Sequence, residues 1–235
     1  FRFTLRVRGV SGHASMPHMT DNALPKLAPL IEALATRRPE PDLTEAPLAL
    51  MEAIGVSGVE ELRAVNPALA DFVEPMVSVT FAPTMVAGSE KINVVPSVAE
   101  VRVDCRVPPG HGRETAARRM AEVLAGLDGY EVTWDEEVVG NGSPASSPLR
   151  DAIDRWLAGE EPEARTVPTM LPAYTDSRTF RQAFPECIAY GFFPQREMTL
   201  REMWPLVHGA DERIAAADVG FAARCYRSVA LDLLG

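Results

Sequence analysis

The sequence predicts an α/β chain in two parts. Two runs that alternate apolar and polar residues, "FRFTLRVRG" at the start and "SVAEVRVDCRV" near residue 100, have the period of half-buried strands. Two runs with helical spacing, within residues 20–39 and 112–129, lie between and after them. With two further strand runs the order is β-α-β-β-α-β. That is the ferredoxin-like split arrangement, an antiparallel sheet with both helices on one face. The first domain is placed at residues 1–137, with a helical insertion at about 40–75, and the second at 138–235.

The elements follow in order. Phe1, Phe3, Leu5 and Val7 alternate with Arg2, Thr4, Arg6 and Arg8, so one face of the first strand is apolar. Leu24, Leu27, Leu30, Ile31 and Leu34 share a helical face; Asp21 or Asn22 can cap it, and Pro25 sits harmlessly in its first turn. Pro29 should kink or divide that helix. Residues 40–75 read as short helices punctuated by prolines. "MVSVTFAPT" is a strand, and so is the run in which Val101, Val103 and Cys105 alternate with charged residues. Ala116, Met120, Val123, Leu124 and Leu127 mark a second amphipathic helix, with Glu114 and Arg118 spaced for an ion pair and Gly126 or Gly129 able to end it. "YEVTWDEE" is the fourth strand.

"VGNGSPASSP" reads as a linker. Beyond it, Ser147-Pro148 starts a helix that Gly159 stops. "RTVPTMLP" reads as a short strand, "TDSRTFRQAF" as a helical turn, "CIAYGFF" as a strand buried on both faces, "HGADERI" as a polar turn, and residues 215–234 as a closing helix. This resembles the tail of an α/β domain with too few strands to complete a sheet. A chain that opens inside a strand pattern, at Phe1 and not at Met, is expected to be a piece of a longer protein.

Of the 235 residues, 46% are hydrophobic and 24% charged, an ordinary globular composition, and the net charge is -10. That balance argues against partners such as nucleic acid or an anionic membrane, which select basic faces. Cys105, Cys187 and Cys225 are widely spaced and odd in number, so they read as small buried hydrophobes in a reducing compartment, not as a disulfide framework. No apolar run approaches the ~20 residues that span a bilayer, and no secretory leader is read; the expected localisation is cytoplasmic.

Four stretches could carry chemistry. In "VHGADERI", His208 is read as ending a strand beside Asp211 and Glu212, where imidazole could bind a divalent metal or serve as an ordinary structural histidine. In "YTDSRTFR", Thr175, Asp176 and Arg178 crowd a helix start; Arg178 could grip a carboxylate or be a surface arginine. Asn93 in "INVVP" could donate to an oxyanion, and Arg106 could bind an anion; a turn asparagine and a strand-end arginine are the alternatives. In "SGHASMPH", His13 and His18 are five apart with Pro17 between, which is not the spacing of two helical metal ligands. His18 reads as a loop residue without a task.

In order along the chain, "GHASMPH", "INVVP" followed by "VDCRVPPG", "TDSR" and "VHGADERI" resemble the metal-dependent M20 amidohydrolase and peptidase family, which includes aminoacylase, acetylornithine deacetylase, succinyl-diaminopimelate desuccinylase and carboxypeptidases. The resemblance covers essentially all of this chain and the second half of a typical member. It implies a ferredoxin-like lid, often a homodimerisation domain, followed by the C-terminal portion of an α/β zinc-hydrolase catalytic domain. It also implies a small-molecule substrate, an acyl amino acid or peptide, and two zinc ions per complete active site, with cobalt or manganese as alternatives. A metal-bound water attacks an amide carbonyl, with a glutamate as base. By motif, His208 resembles a zinc ligand and Arg178 a group that binds the substrate's free carboxylate. Asn93 and Arg106 resemble lid residues that reach the substrate. His13 resembles the lid histidine that donates to the oxyanion, frequently in a partner subunit's active site. "AYTDSR" looks closer to the aminoacylase and carboxypeptidase branch than to the desuccinylases.

The family's H-x-D motif, its E-E pair and its further acidic ligand are absent from these residues, and their place would be before Phe1. The expectation is a fragment that does not bind its full zinc complement and is inactive unless an N-terminal segment is supplied. The alternative is a non-catalytic dimerisation or binding module.

Overall fold

The computed structural model describes residues 1–171 and 173–235. They gather into two compact units, Phe1–Thr44 with Val73–Gly140, and Glu45–Phe72 with Asn141–Gly235. The chain order is β1 (Arg2–Arg8), β2 (Gly12–His13), a 3-10 turn (Pro17–Met19), α1 (Leu24–Thr36), α2 (Glu45–Ile54), α3 (Val59–Val65), α4 (Pro67–Val77), β3 (Thr80–Ala87), β4 (Val94–Val95), β5 (Val98–Arg106), α5 (Arg113–Val123) and β6 (Tyr130–Glu136). There follow α6 (Pro148–Glu160), α7 (Ser177–Ala183), α8 (Leu200–Met203), a 3-10 turn (Trp204–Leu206) and α9 (Ala216–Leu234). No helix among the described residues is long and apolar enough to cross a membrane.

In the first unit the strands lie in the order β3-β5-β1-β6, antiparallel throughout. This is the ferredoxin-like order, with the first strand central. Phe3, Leu5 and Val7 of β1 and Ala99, Val101, Val103 and Cys105 of β5 are buried against Leu27, Leu30 and Leu34 of α1 and Ala116, Met120 and Val123 of α5. The period-two and helical patterns therefore meet in one core, on the single face that both helices cover. Pro83 sits in β3, an edge strand, where a missing amide donor is tolerated.

Several local expectations differ. Pro29 does not divide α1, which runs unbroken through it. Asn22 Oδ1 accepts from the Leu24 amide at 3.1 Å, whereas Asp21 pairs with Lys26 at 2.5 Å. Arg118 pairs with Asp42 at 3.1 Å and not with Glu114, because a buried carboxylate is the stronger partner. Helix α5 ends at Val123, before Gly126 and Gly129.

In the second unit, Ser147 caps α6 by accepting from the Arg150 amide at 3.2 Å, as its Ser-Pro start suggests. The helix runs past Gly159 to Glu160. Trp156 of α6 and Phe221 of α9 meet at a tilt of 48° with centroids 4.9 Å apart in a small core with Ile153, Cys225 and Val229. Neither "RTVPTMLP" nor "CIAYGFF" is a strand among the described residues; Pro172, the last residue of the first run, lies outside them. Side chains take the bonds that a neighbouring strand would have made. Ser143 Oγ accepts from the Ala189 amide at 3.0 Å, Arg181 donates to the Ala189 carbonyl at 2.8 Å, and Tyr226 donates to the Phe192 carbonyl at 2.8 Å. The segment Glu45–Phe72, expected as an insertion within the first domain, groups with this second unit instead. Arg165 donates to the Ala53 carbonyl at 2.7 Å, and Phe72 meets Trp204 edge to face at 6.0 Å, which ties its helices to the C-terminal residues.

One buried ionic cluster anchors the first unit. Asp42 and Arg119, both buried, form two hydrogen bonds of 2.8 Å, and Arg119 also reaches Glu122 at 2.8 Å. The Arg119 hydrogen bond, aided by Arg118, holds the Asp42 carboxyl below its ordinary 3.8. A carboxyl lowered by folding stabilises the fold above its unfolded value and loses that contribution as pH falls through the folded one. Asp42→Ala leaves the guanidinium half-paired and should cost roughly 3 kcal/mol, the low end for breaking a buried pair. Urea melts at neutral pH and near pH 3 check this: the gap between wild type and variant should narrow at the lower pH. A gap that is constant with pH argues against the ion pair as its source.

Candidate active site

The site is built where the central strand pair continues beyond the sheet. Arg8 of β1 stands opposite Val98 of β5; further on, Gly12 stands opposite Val95 and His13 opposite Val94. Between these pairings the Gly9 amide donates to the Ser97 carbonyl at 2.8 Å and Val10 bridges to Asp21, so the chain leaves the four-stranded sheet before β2 pairs with β4 in a separate two-stranded ribbon. In that ribbon His13 is exposed while Val95, opposite Gly12, is buried.

Two glycines permit this path. A Cβ on Gly9 would lie 2.0 Å from the Asp21 carbonyl oxygen, and one on Gly12 would lie 2.3 Å from Thr20 Cγ2. The Ala14 amide donates to the Asn93 carbonyl at 3.0 Å, which brings Asn93 beside His13. Ser15 lies against the imidazole, with its amide donating to His13 Nδ1 at 3.2 Å and its Oγ 2.7 Å from the same nitrogen. An open groove of about 430 Å³, lined among others by Ala14, Leu24, Lys91 and Ile92, borders the ribbon. His18 lies on the exposed 3-10 turn (Pro17–Met19).

Arg106 is elsewhere. It ends β5, and its guanidinium holds Asp104 with two bonds, 2.5 and 3.1 Å. The span Val98–Arg106, at ~3.3 Å per residue, puts roughly 26 Å between Arg106 and the ribbon end of the strand. Neighbouring Cys105 is fully buried, which pushes its thiol up to about 12 and leaves it a hydrophobe without nucleophilic use.

In the second unit, Arg178 is half-buried on the first turn of α7 and donates to Gln182 at 3.3 Å. Its neighbour Arg181 is the structural arginine, fixed to Asn141 Oδ1 and the Ala189 carbonyl, both at 2.8 Å. Thr175 Oγ accepts from the Ser177 amide at 3.2 Å, while Asp176 makes no side-chain cap. His208 is exposed and follows the 3-10 turn Trp204–Leu206, not a strand as expected. Its φ of 62° is the one positive value outside glycine among the described residues. The Glu212 carboxylate accepts from the His208 amide at 3.2 Å and supports that backbone, while Asp211 pairs with Arg213. With both carboxylates so engaged, no group of three or more His, Cys, Asp or Glu able to hold a metal occurs among the described residues. The donors present therefore do not by themselves fit a dinuclear zinc centre. Sequence reasoning missed Ser15, and read Glu212 as a carboxylate beside His208 rather than as support for its backbone; both are polar residues two and four positions from a histidine, a spacing that suits local side-chain to backbone bonds.

Residues 1–129 match the family model of the peptidase dimerisation domain of M20 enzymes. The chain belongs to the M20 family. It is 24% identical over 229 residues to a succinyl-diaminopimelate desuccinylase of Magnetococcus marinus, covering 95% of this chain and 48% of that protein. It is 25% identical over 168 residues to a probable carboxypeptidase S-like protein of Dictyostelium discoideum, covering 68% of this chain and 33% of that protein. Its fold resembles that of a di-peptidase from Saccharomyces cerevisiae, with a TM-score of 0.61 at 12% identity over 98% of this chain and 53% of the other. An M20 metallo-carboxypeptidase from Sulfolobus solfataricus gives 0.56 at 17% identity, over 99% and 58%. This M20 chain spans about half the length of the desuccinylases it matches.

The close approach at Gly12 is testable because the obstructing atom is one methyl. Gly12→Ala should lower stability by roughly 1–3 kcal/mol through overpacking. Thr20→Ser removes that methyl and keeps the hydroxyl, so the double variant should recover most of the loss. Thermal melts of the four proteins form the cycle; strictly additive losses would reject the contact.

Proposed function

We propose that the full-length protein hydrolyses an amide bond in an N-acyl amino acid or a short peptide with a free carboxylate, as a homodimer joined through the first unit. The observation that carries this reading is the exposed His13 on a short two-stranded ribbon, beside Asn93, in a chain of the M20 family. Hydration of an amide carbonyl puts negative charge on its oxygen, and a fixed N–H donor at 2.7–3.1 Å stabilises that charge more in the transition state than in the substrate. His13 is assigned as such a donor, and the Asn93 side-chain amide as a second.

Arg178 and Arg106 are the groups assigned to carboxylate recognition, each by a planar fork. The length of β5 supports a division of labour. A substrate of acyl amino acid size cannot span the roughly 26 Å between Arg106 and the ribbon. His13 and Arg106 of one copy then serve different active sites, which a homodimer makes possible. His208 is assigned as the one zinc ligand of this chain, with the other donors in the part of the protein beyond the matched half; cobalt and manganese are alternative occupants. The free thiols Cys105, Cys187 and Cys225 suit a reducing, cytoplasmic setting.

The test is turnover by the full-length protein, with zinc or cobalt, on N-acyl amino acids, N-succinyl amino acids and dipeptides. Metal-dependent hydrolysis of at least one class is expected, and none on any class would overturn the reading. His13→Ala should lower kcat by roughly 10²–10³, the cost of one oxyanion donor. An unchanged kcat would remove His13 from the mechanism.

A further inference from the structure

We propose that Ser15 is a positioning residue that locks His13 in one neutral tautomer, with the proton on Nε2. The Ser15 amide points at His13 Nδ1 at 3.2 Å, and a backbone N–H can only donate. Nδ1 therefore presents its lone pair and carries no proton. The Ser15 hydroxyl, 2.7 Å from the same nitrogen, is left with the donor's role as well, because an unprotonated Nδ1 has nothing to give it. One residue thus supplies both donors to one ring nitrogen, and the ring is fixed in orientation as well as in tautomer.

The remaining nitrogen carries the proton. Nε2 makes no hydrogen bond among the described residues, and the side chain is exposed, so the N–H is presented outward. A free neutral imidazole exchanges between two tautomers, and only one of them offers a donor at Nε2. A second group that fixes the tautomer from the far nitrogen is the usual way proteins settle this choice. Here that group is a serine two residues along, placed by the turn that follows β2. The catalytic consequence rests on the reading of His13 as an oxyanion donor; the tautomer does not.

The experiment is nitrogen NMR of full-length protein labelled at histidine with ¹⁵N, at a pH where the rings are neutral. The His13 signals are assigned by their loss in His13→Gln. Wild type should show one protonated and one bare nitrogen without averaging. Ser15→Ala, which removes the hydroxyl and keeps the amide donor, should draw the two signals partly toward each other, and Ser15→Thr, which keeps both donors, should restore the separation. Averaged signals in wild type, or a proton on Nδ1, would overturn the proposal; a Ser15→Ala spectrum unchanged from wild type would assign the lock to the Ser15 amide alone. Kinetics on the same variants separate the two ideas. An even tautomer mixture still offers the Nε2 donor in about half of the molecules, so kcat of Ser15→Ala should fall by no more than a few-fold, with KM unchanged and recovery in Ser15→Thr. A fixed tautomer in wild type with unchanged kcat in His13→Ala would leave Ser15 its role and remove the catalytic role of His13.

Discussion

The register of β1 against β5 is the constraint on which the first unit depends. It sets Phe3, Leu5 and Val7 opposite Val103, Val101 and Ala99, and these pairs are the floor of the core. On the other face it sets Arg2 opposite Asp104 and Arg6 opposite Glu100, the latter pair closing at 2.6 Å. A slip by one residue would drive the arginines into the core. A slip by two keeps the faces and so needs another safeguard. In one direction it would bring Arg6 opposite Arg102, and in the other Arg2 opposite Arg102, and like charges directly opposed are unfavourable. Exposed ion pairs of this kind add little to stability, at most ~1 kcal/mol each. Their value lies in rejecting the wrong alignments.

The site lies just beyond this register. After Arg8 the chain leaves β5, bridges through Val10 to Asp21, and pairs again only where Gly12 and His13 meet Val95 and Val94. That path is open because Gly9 and Gly12 carry no side chain against Asp21 and Thr20. A histidine displayed this way is held by backbone pairing on a ribbon outside the four-stranded sheet. Such placement on a scaffold, with support from a neighbouring group, is what a fixed donor requires.

Much of this was legible in residue order. Alternation in β1 and β5 and the apolar stripes of α1 and α5 are long enough to state a period, and both patterns point to the same core. The two-residue strands β2 and β4 are too short for any period, so the meeting of His13 and Asn93 had to come from the motifs that carry them. "CIAYGFF" misled for the opposite reason: its apolar composition suits a buried strand, but a strand exists only through a ladder partner, and Ser143, Arg181 and Tyr226 occupy its backbone instead. Arg118 shows the limit of helical spacing rules. Glu114 is correctly placed one turn away, yet Asp42, far off in sequence and buried, takes the guanidinium.

Arg106 shows how the outer charge lattice and the proposed chemistry bear on each other. Its fork is filled by Asp104, and Asp104 also lies 3.7 Å from Arg2, which in turn holds Glu136 at 2.5 Å. A carboxylate arriving at Arg106 would compete with a side chain of its own chemistry, already aligned. Displacement needs a second home for Asp104, and Arg2 on the adjacent strand provides one by a short movement along the same face. The exchange would conserve the number of ion pairs. An arginine that rests against a neighbouring acid is therefore compatible with carboxylate recognition where it is exposed and another cation stands within reach of that acid; Arg119 fails the first condition because it is buried with Asp42, although Arg118 stands 3.1 Å from that carboxylate.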